Sequence, residues 1–230
     1  MKMLGLLGGM SWQSTVPYYQ LINQRIAERL GGYHSARILL LSVDFAELEV
    51  LMRTGRWDEA GALLSQAARR LEAGGAELVA MCTNTLHRVA PAVERSLGVP
   101  LLHIVDVTAA AIRGKAIRRV GLLATRFTME EGFFAERLAA GGIDTLLPEP
   151  AEREAVHRII FEELVHGRIL DTSRRTVRTL AAELASRGAE GVVLGCTELQ
   201  MVLSDGEIPV PLFDTTALHA RAAADRALED

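Results

Sequence analysis

An internal repeat is the feature that most constrains this chain. Residues 67–86 read AARRLEAGGAELVAMCTNTL, and residues 181–199 read AAELASRGAEGVVLGCTEL. Each copy contains a helix-type run, then Gly-Ala-Glu, then a short apolar strand that leads into a Cys-Thr dipeptide. A chain that carries the same helix–strand unit twice is expected to fold into two similar halves.

The register of the two copies decides which residues are equivalent. A count from Gly188 in the second copy reaches Cys196, and the same count from Gly75 in the first copy reaches Thr83. Cys82 therefore lies one residue too early. A shift of one residue in a strand sends the side chain to the opposite face. The repeat thus predicts that Thr83 and Cys196 form the functional pair and that Cys82 points into the packing.

Short apolar runs alternate with longer amphipathic runs along the whole chain. The predicted strands are Met3–Leu7, Arg37–Val43, Leu78–Met81, Leu101–Ile104, Val120–Ala124, Thr145–Leu147, Gly191–Leu194 and Pro211–Phe213. The predicted helices lie near 13–30, 58–73, 86–97, 105–113, 128–140, 151–166, 171–187, 197–203 and 214–228. This alternation indicates parallel sheets covered by helices on both faces.

The repeat also includes Gly5-Leu6-Leu7 and Gly121-Leu122-Leu123, each at the start of one half. We therefore predict two pseudo-symmetric parallel-sheet α/β halves, with the active site in the cleft between them. The first domain is expected to comprise residues 1–108 plus 213–230, because the final strand and helix are expected to return to it. The second is expected to comprise residues 109–212. Ligands of such sheets bind beyond the carboxyl ends of the strands.

Composition excludes several classes of function. The chain has 230 residues, is 49% hydrophobic and has no apolar run long enough to span a bilayer. A net charge of −4 argues against a nucleic-acid surface, and two cysteines do not make a disulfide framework. The apolar N-terminal run is interpreted as a first strand rather than a signal peptide, so we expect a cytoplasmic protein without nucleic-acid or membrane partners. No metal-binding or nucleotide-binding motif is present.

Polar residues follow the predicted central strands in both halves. Cys196 stands between Gly195 and Thr197-Glu198, at a strand end where the start of a helix favours a thiolate. Thr83, Asn84 and Thr85 occupy the matching place in the first half. The loops after the two opening strands contribute Met10 and Ser11 in the first half and Thr125 in the second. The hydroxyl and amide side chains are equally explained as helix N-caps, and such N-termini also bind carboxylates. His103 is interpreted as a structural histidine, and His87 is left open between a structural and a catalytic role.

The motifs GLLGGMSWQST, CTNTLH, GLLATRFTME and GCTEL, in this order, resemble the cofactor-independent aspartate/glutamate racemase family. Within it they look most like the L-aspartate/glutamate-specific branch, and the resemblance covers nearly the whole chain. It implies an isomerase that acts on a small amino acid without pyridoxal or metal, and a homodimer. It also implies that Cys196 removes the α-proton of the L-enantiomer, while Thr83 occupies the slot in which most of the family carries a second cysteine. Met10, Ser11, Asn84, Thr85, Thr125, Thr197 and Glu198 are the expected substrate-binding residues.

The sequence departs from this family in two respects. The hydroxyl of Thr83 is a far poorer base than a thiol, whose ordinary pKa is about 8.5. Proton abstraction is therefore expected to be unequal on the two faces of the substrate, with Cys196 as the stronger base. Val165 or His166 stands where aspartate-specific relatives carry a basic residue, and Met52 replaces a polar residue. The candidates for binding the distal carboxylate are Arg53, Arg56, His166 and Arg168.

Two alternative functions stay open on the sequence. One is another enzyme of the same fold: a dicarboxylate isomerase or decarboxylase, or a hydantoin racemase. The other is a non-catalytic amino-acid-binding protein, which the incomplete cysteine pair would permit.

Overall fold

The computed structural model describes residues 1–229, which form two compact α/β units. The first unit consists of residues 1–104 together with the residues from His219 onward, and the second consists of residues 105–218. Each unit contains one four-stranded sheet in which neighbouring strands run parallel. The predicted pair of parallel α/β halves is therefore confirmed.

The first half alternates strands and helices. Its elements are β1 (Leu4–Gly8), α1 (Trp12–Leu30), β2 (Ile38–Ser42), α2 (Phe45–Arg53), α3 (Trp57–Ala73), β3 (Leu78–Met81), a 3₁₀ turn (Thr85–Val89), α4 (Ala90–Ser96), β4 (Leu101–Leu102) and α5 (Ile104–Gly114). The sheet order is β2-β1-β3-β4, so β1 and β3 are its central strands.

The second half repeats this order. Its elements are β5 (Arg119–Ala124), α6 (Arg126–Glu130), α7 (Phe133–Ala140), β6 (Asp144–Leu146), α8 (Pro150–Arg158), a π turn (Ile159–Glu163), a 3₁₀ turn (Leu164–His166), α9 (Asp171–Ser186), β7 (Gly191–Gly195), a 3₁₀ turn (Leu199–Met201), β8 (Leu212–Asp214) and α10 (Thr215–Ala227). The sheet order β6-β5-β7-β8 matches that of the first half. No helix among residues 1–229 combines the length and the apolar character needed to cross a membrane.

The predicted first domain, 1–108 plus 213–230, requires the last strand to join the first half. The structure shows that it does not. β8 pairs with β7, in the register Val193 with Phe213, and so completes the second sheet. The division between the units falls at 104/105 and 218/219, inside helices α5 and α10. Each half therefore ends in a strand of its own sheet, followed by a helix that lies mostly or partly in the other unit. A three-residue strand carries too little pattern to reveal which sheet it pairs with.

Other differences concern helices. Helix α2 was not among the predicted helices, although Asp44 caps it through a hydrogen bond from the Ala46 N–H (3.1 Å). The helix predicted near 128–140 is divided into α6 and α7 at Gly132, whose φ of 76° lies in the left-handed region. The helix predicted near 197–203 is only a three-residue 3₁₀ turn, which changes the electrostatics around Cys196.

The two copies of the repeat leave their helices in the same way. Gly75 and Gly188 follow α3 and α9 with φ angles of 98° and 97°. The N–H of the alanine after each glycine donates to the carbonyl of Leu71 or Leu184, at 3.0 Å in both cases. Glycine adopts this left-handed conformation without steric cost, which explains why both copies have glycine here.

The glutamate that follows fixes the start of each central strand. Glu77 and Met3 exchange two hydrogen bonds: the carboxylate accepts from the Met3 N–H at 2.7 Å, and the Glu77 N–H donates to the Met3 carbonyl at 2.8 Å. In the second unit, the Glu190 carboxylate accepts from the Arg118 N–H at 2.7 Å, and the Glu190 N–H donates to the Arg119 carbonyl at 2.9 Å. Gly-Ala-Glu thus sets the same strand register in both units. This supports the alignment of the two copies from this tripeptide, which makes Thr83 equivalent to Cys196.

Alternating residues of β3 and of the segment that follows face one core. Leu78, Ala80 and Cys82 pack in an apolar cluster with Tyr18 and Ile22 of α1. Cys82 is fully buried there, and its N–H donates to the Leu7 carbonyl at 2.9 Å. The expectation that Cys82 points into the packing is confirmed.

Candidate active site

The predicted site residues collect at the carboxyl ends of the central strands of each unit. In the first unit, β1 and β3 are neighbours, so the segment 9–11 and the segment 82–85 begin at the same edge of the sheet. In the second unit, β5 and β7 place Thr125 and the segment 196–198 at the matching edge. All nine predicted residues are buried: Met10, Ser11, Thr83, Asn84, Thr85, Thr125, Cys196, Thr197 and Glu198.

Cys196 forms a pair with a buried carboxylate. Its Sγ lies 3.0 Å from Oε2 of Glu198, to which the thiol donates a hydrogen bond. The hydroxyl of Thr197 donates to the same carboxylate oxygen at 2.5 Å. Glu198 was predicted to bind substrate, and its contact with the thiol was not foreseen. The spacing of two residues between the thiol and the carboxyl group was the available signal.

The surroundings of Cys196 oppose a thiolate. Burial and the negative charge of Glu198 raise the pKa of the Cys196 thiol well above its ordinary value. The backbone N–H groups of Thr197 and Glu198 act in the opposite direction, but their effect is smaller. The predicted stabilisation of the thiolate by a helix start is therefore wrong in its net effect. A 3₁₀ turn of three residues aligns few peptide dipoles. The prediction treated Glu198 as part of the helix start and did not consider the repulsion between its carboxylate and a thiolate.

Thr83 is held by a histidine four residues further along the chain. Nδ1 of His87 lies 2.7 Å from the Thr83 carbonyl oxygen, and Nε2 accepts a hydrogen bond from the Ile104 N–H at 3.2 Å. A carbonyl oxygen only accepts, so Nδ1 carries the proton and the ring is neutral. His87 therefore has a structural part in shaping the Thr83 segment. The ring of His103 packs against it, with 4.7 Å between the ring centroids.

Two of the other predicted residues are helix caps. Ser11 Oγ accepts from the Ser14 N–H at the start of α1, and Thr125 Oγ1 accepts from the Thr128 N–H at the start of α6, both at 3.3 Å. The loop before Ser11 is packed internally: the Gly9 N–H donates to the Thr15 hydroxyl at 2.8 Å. The equivalent positions of the two units thus share a capping role.

The basic residues suggested for the distal carboxylate are exposed. Arg53 pairs with Glu49 at 3.2 Å, and Arg56 pairs with Glu59 at 2.5 Å. Arg168 donates to the Glu162 carbonyl. Within residues 1–229, no three His, Cys, Asp or Glu side chains are grouped so that they could hold a metal ion.

Comparison with known proteins agrees with the sequence resemblance. Residues 7–223 match the family model for the Asp/Glu/hydantoin racemases. The broad specificity amino-acid racemase RacX of Bacillus subtilis (strain 168) is 24% identical over 236 aligned residues, which cover 96% of each chain.

Two solved structures resemble the whole chain. A candidate Asp/Glu racemase from Yersinia pestis is 51% identical with a TM-score of 0.94, and its alignment covers 100% of both chains. An aspartate racemase homologue from Pyrococcus horikoshii OT3 is 34% identical with a TM-score of 0.88, again over 100% of both chains. The chain therefore belongs to the Asp/Glu/hydantoin racemase family and is an isomerase of the amino-acid racemase class.

Proposed function

We propose that this protein inverts the Cα configuration of an acidic amino acid, glutamate or aspartate, without a cofactor. In this reaction Cys196 removes the α-proton of the L-enantiomer, and Thr83, or a water held by it, delivers a proton to the opposite face. The observation that carries the proposal is the buried pair of Cys196 and Glu198, which lies at the strand end equivalent to that of Thr83 in the repeat.

The chemistry requires stabilisation of the carbanion. Loss of the α-proton places negative charge on the substrate carboxylate, in an enolate-like form. The polar side chains of Asn84 and Thr85 are buried at these strand ends together with backbone N–H groups, whereas the Thr197 hydroxyl already donates to Glu198. Fixed donors in a site that excludes water stabilise developing charge more effectively than water does. The other predicted binding residues, Met10, Ser11, Thr125 and Glu198, are also assigned to the substrate pocket.

The proposed roles of the two sides are unequal. A thiol is a competent base once its proton is removed, whereas a threonine hydroxyl hardly ionises at neutral pH. We therefore expect abstraction of the α-proton from the L-enantiomer to be faster than abstraction from the D-enantiomer. The equilibrium between the enantiomers remains one to one, as it must for a racemase. The asymmetry therefore appears only in the rates of α-proton exchange from the two enantiomers.

The test is exchange of the α-proton in D₂O, followed by NMR for the L- and D-forms of glutamate and aspartate. We expect the wild type to exchange L-glutamate or L-aspartate, and Cys196→Ala to lose exchange by on the order of 10²-fold to 10⁴-fold. Cys82→Ala is the matched control, because it removes the other thiol from the core of the first unit. Binding of these amino acids without exchange would instead favour a binding protein. Exchange or decarboxylation of other dicarboxylates alone would favour a different enzyme of this fold.

A further inference from the structure

The pair of Cys196 and Glu198 has a property that a lone thiol lacks. The thiol donates to Oε2 of Glu198 over 3.0 Å, so a proton can pass from sulfur to oxygen without leaving the pair. Thr197 orients the acceptor, because its hydroxyl donates to the same oxygen. Gln200 in turn holds the loop through a hydrogen bond from Nε2 to the Thr197 carbonyl at 3.0 Å.

We propose that Cys196 and Glu198 act as a single acid–base unit that holds one proton, with Glu198 accepting the thiol proton when Cys196 becomes the base. This inference rests on the proposed racemase function and assigns to Glu198 a role in proton transfer. The pair carries one negative charge in either arrangement, as thiol with carboxylate or as thiolate with carboxylic acid. Formation of the base therefore adds no net charge to the buried site.

This arrangement explains how a thiol in such surroundings can serve as a base. The raised pKa of Cys196 describes removal of the last proton from the pair, which would leave two negative charges in a buried place. Transfer within the pair avoids that state. Protons of two groups this close belong to the pair rather than to either residue.

The protons of the pair balance over one turnover. The Sγ proton moves to Oε2 of Glu198, and the sulfur keeps its electron pair. The thiolate then takes the α-proton of the L-substrate, which leaves a carbanion beside a thiol and a carboxylic acid. A proton reaches the opposite face from Thr83 or its water, and Glu198 returns its proton through solvent to restore that donor. The enzyme ends as it began, and the reverse direction retraces these steps.

Three titratable groups on the elements packed around Cys196 have other hydrogen-bond partners. The core that contains Cys196 includes residues of α8, of the turns that follow it, and of α9. On these elements, His157 accepts from the Arg126 N–H, Glu163 accepts from the Ser173 hydroxyl at 2.5 Å, and Arg174 donates to the Met201 carbonyl at 3.3 Å. Glu198 is the charged side chain that shifts the pKa of Cys196.

The experiment compares wild type with Glu198→Gln and Glu198→Asp. Glu207→Gln is the matched control, because its carboxylate lies in the same stretch of chain and accepts from the Ser204 N–H in an exposed loop. Two quantities are measured against pH: α-proton exchange of L-glutamate and L-aspartate in D₂O, and the ultraviolet absorbance of the Cys196 thiolate. Cys196→Ser identifies the contribution of Cys196 to that absorbance. Circular dichroism and thermal unfolding establish that each variant is folded.

We expect opposite changes in the two measurements for Glu198→Gln. The thiolate should appear at lower pH than in the wild type, since a repelling charge is lost. Exchange at neutral pH should nevertheless fall by about 10²-fold or more, because the amide cannot accept the proton. Exchange should then rise with pH as the thiolate forms. Glu198→Asp should keep part of the neutral-pH exchange, and Glu207→Gln should behave as wild type.

Different outcomes would overturn different statements. If Glu198→Gln exchanges α-protons at neutral pH as fast as the wild type or faster, the acid–base unit is overturned. Glu198 would then only oppose formation of the Cys196 thiolate. An unchanged thiolate titration in that variant would also overturn the acid–base unit. If the wild type exchanges no α-proton of any acidic amino acid while its thiol still titrates, the proposed function fails, and the catalytic use of the pair fails with it.

Discussion

The hydroxyl of Tyr18 donates a hydrogen bond to Nδ1 of His219 over 2.8 Å, inside the first unit. Nε2 of the same ring lies 2.9 Å from the Leu102 carbonyl oxygen, so Nε2 carries the proton and the ring is neutral. The ring of His87, which holds Thr83, lies next to it with 5.8 Å between the centroids. Burial lowers the pKa of His219 from 6.5 to about 4. The core behind Thr83 thus contains a histidine that resists protonation.

This lowered pKa predicts a loss of stability in acid. Between about pH 6.5 and pH 4 the unfolded chain binds a proton at His219 and the folded protein does not, so the free energy of unfolding falls as the pH falls. The full effect is on the order of 3 kcal/mol, and it is absent above pH 6.5. Denaturant unfolding across this range should show a shallower dependence on pH for His219→Gln than for wild type. His34→Gln, an exposed histidine, is the control, and equal slopes for His219→Gln and wild type would contradict the prediction.

Cys82 is predicted to contribute to stability and not to turnover. The side chain is fully buried among Leu78, Ala80 and Tyr18, so Cys82→Ala leaves a small void and should lower the free energy of unfolding by about 1–2 kcal/mol. Turnover per folded molecule should stay at the wild-type level. A large fall in turnover with substrate binding unchanged would mean that Cys82, and not Thr83, is the equivalent of Cys196.

Thr83→Cys should create a second base. If Thr83 serves the opposite face of Cα, a thiol at this position should increase α-proton exchange of D-glutamate or D-aspartate, which the wild type shows only weakly. Well-placed general bases contribute on the order of 10²-fold to 10⁴-fold, which sets the upper range of the gain. Exchange of the L-enantiomers should persist, because Cys196 and Glu198 are unchanged. The assignment of Thr83 would be contradicted by equal D-exchange in the two proteins.

Thr83→Ser is the matched control for Thr83→Cys. Thr83→Ser keeps a hydroxyl and should leave D-exchange weak, so a gain confined to Thr83→Cys would identify the thiol as its source. Measurements on both glutamate and aspartate would also show which side chain the pocket prefers. A variant that loses L-exchange as well would indicate damage to the fold, and thermal unfolding separates this case from the others.

Activity is predicted to need neither pyridoxal nor metal. The chain has two lysines, Lys2 and Lys115, and the Lys115 ammonium lies over the ring of Phe213, with 5.6 Å to its centroid. α-Proton exchange should therefore survive dialysis against EDTA and treatment with hydroxylamine, and the purified protein should lack the absorbance of bound pyridoxal. Chelator-sensitive activity that a metal restores would disprove this.

Local patterns predicted much of this protein. The eight strands were placed within one or two residues of their observed bounds, because apolar runs flanked by glycine and polar residues mark short buried strands. The family followed from motifs that span the chain. The core position of Cys82 followed from the register of the repeat, because Gly-Ala-Glu forms the same helix end and the same hydrogen bonds to the neighbouring strand in both copies.

Contacts between distant parts of the chain decided the rest. The sequence could not reveal that β8 pairs with β7, nor that His219 packs beside Tyr18, 201 residues earlier in the chain. The sequence also could not reveal that the pKa of the Cys196 thiol is raised, since its burial and the direction of the Glu198 carboxylate result from packing. Periodicity and spacing fix elements and register along the chain, whereas pairing, burial and charge contacts depend on which elements the folded chain brings together.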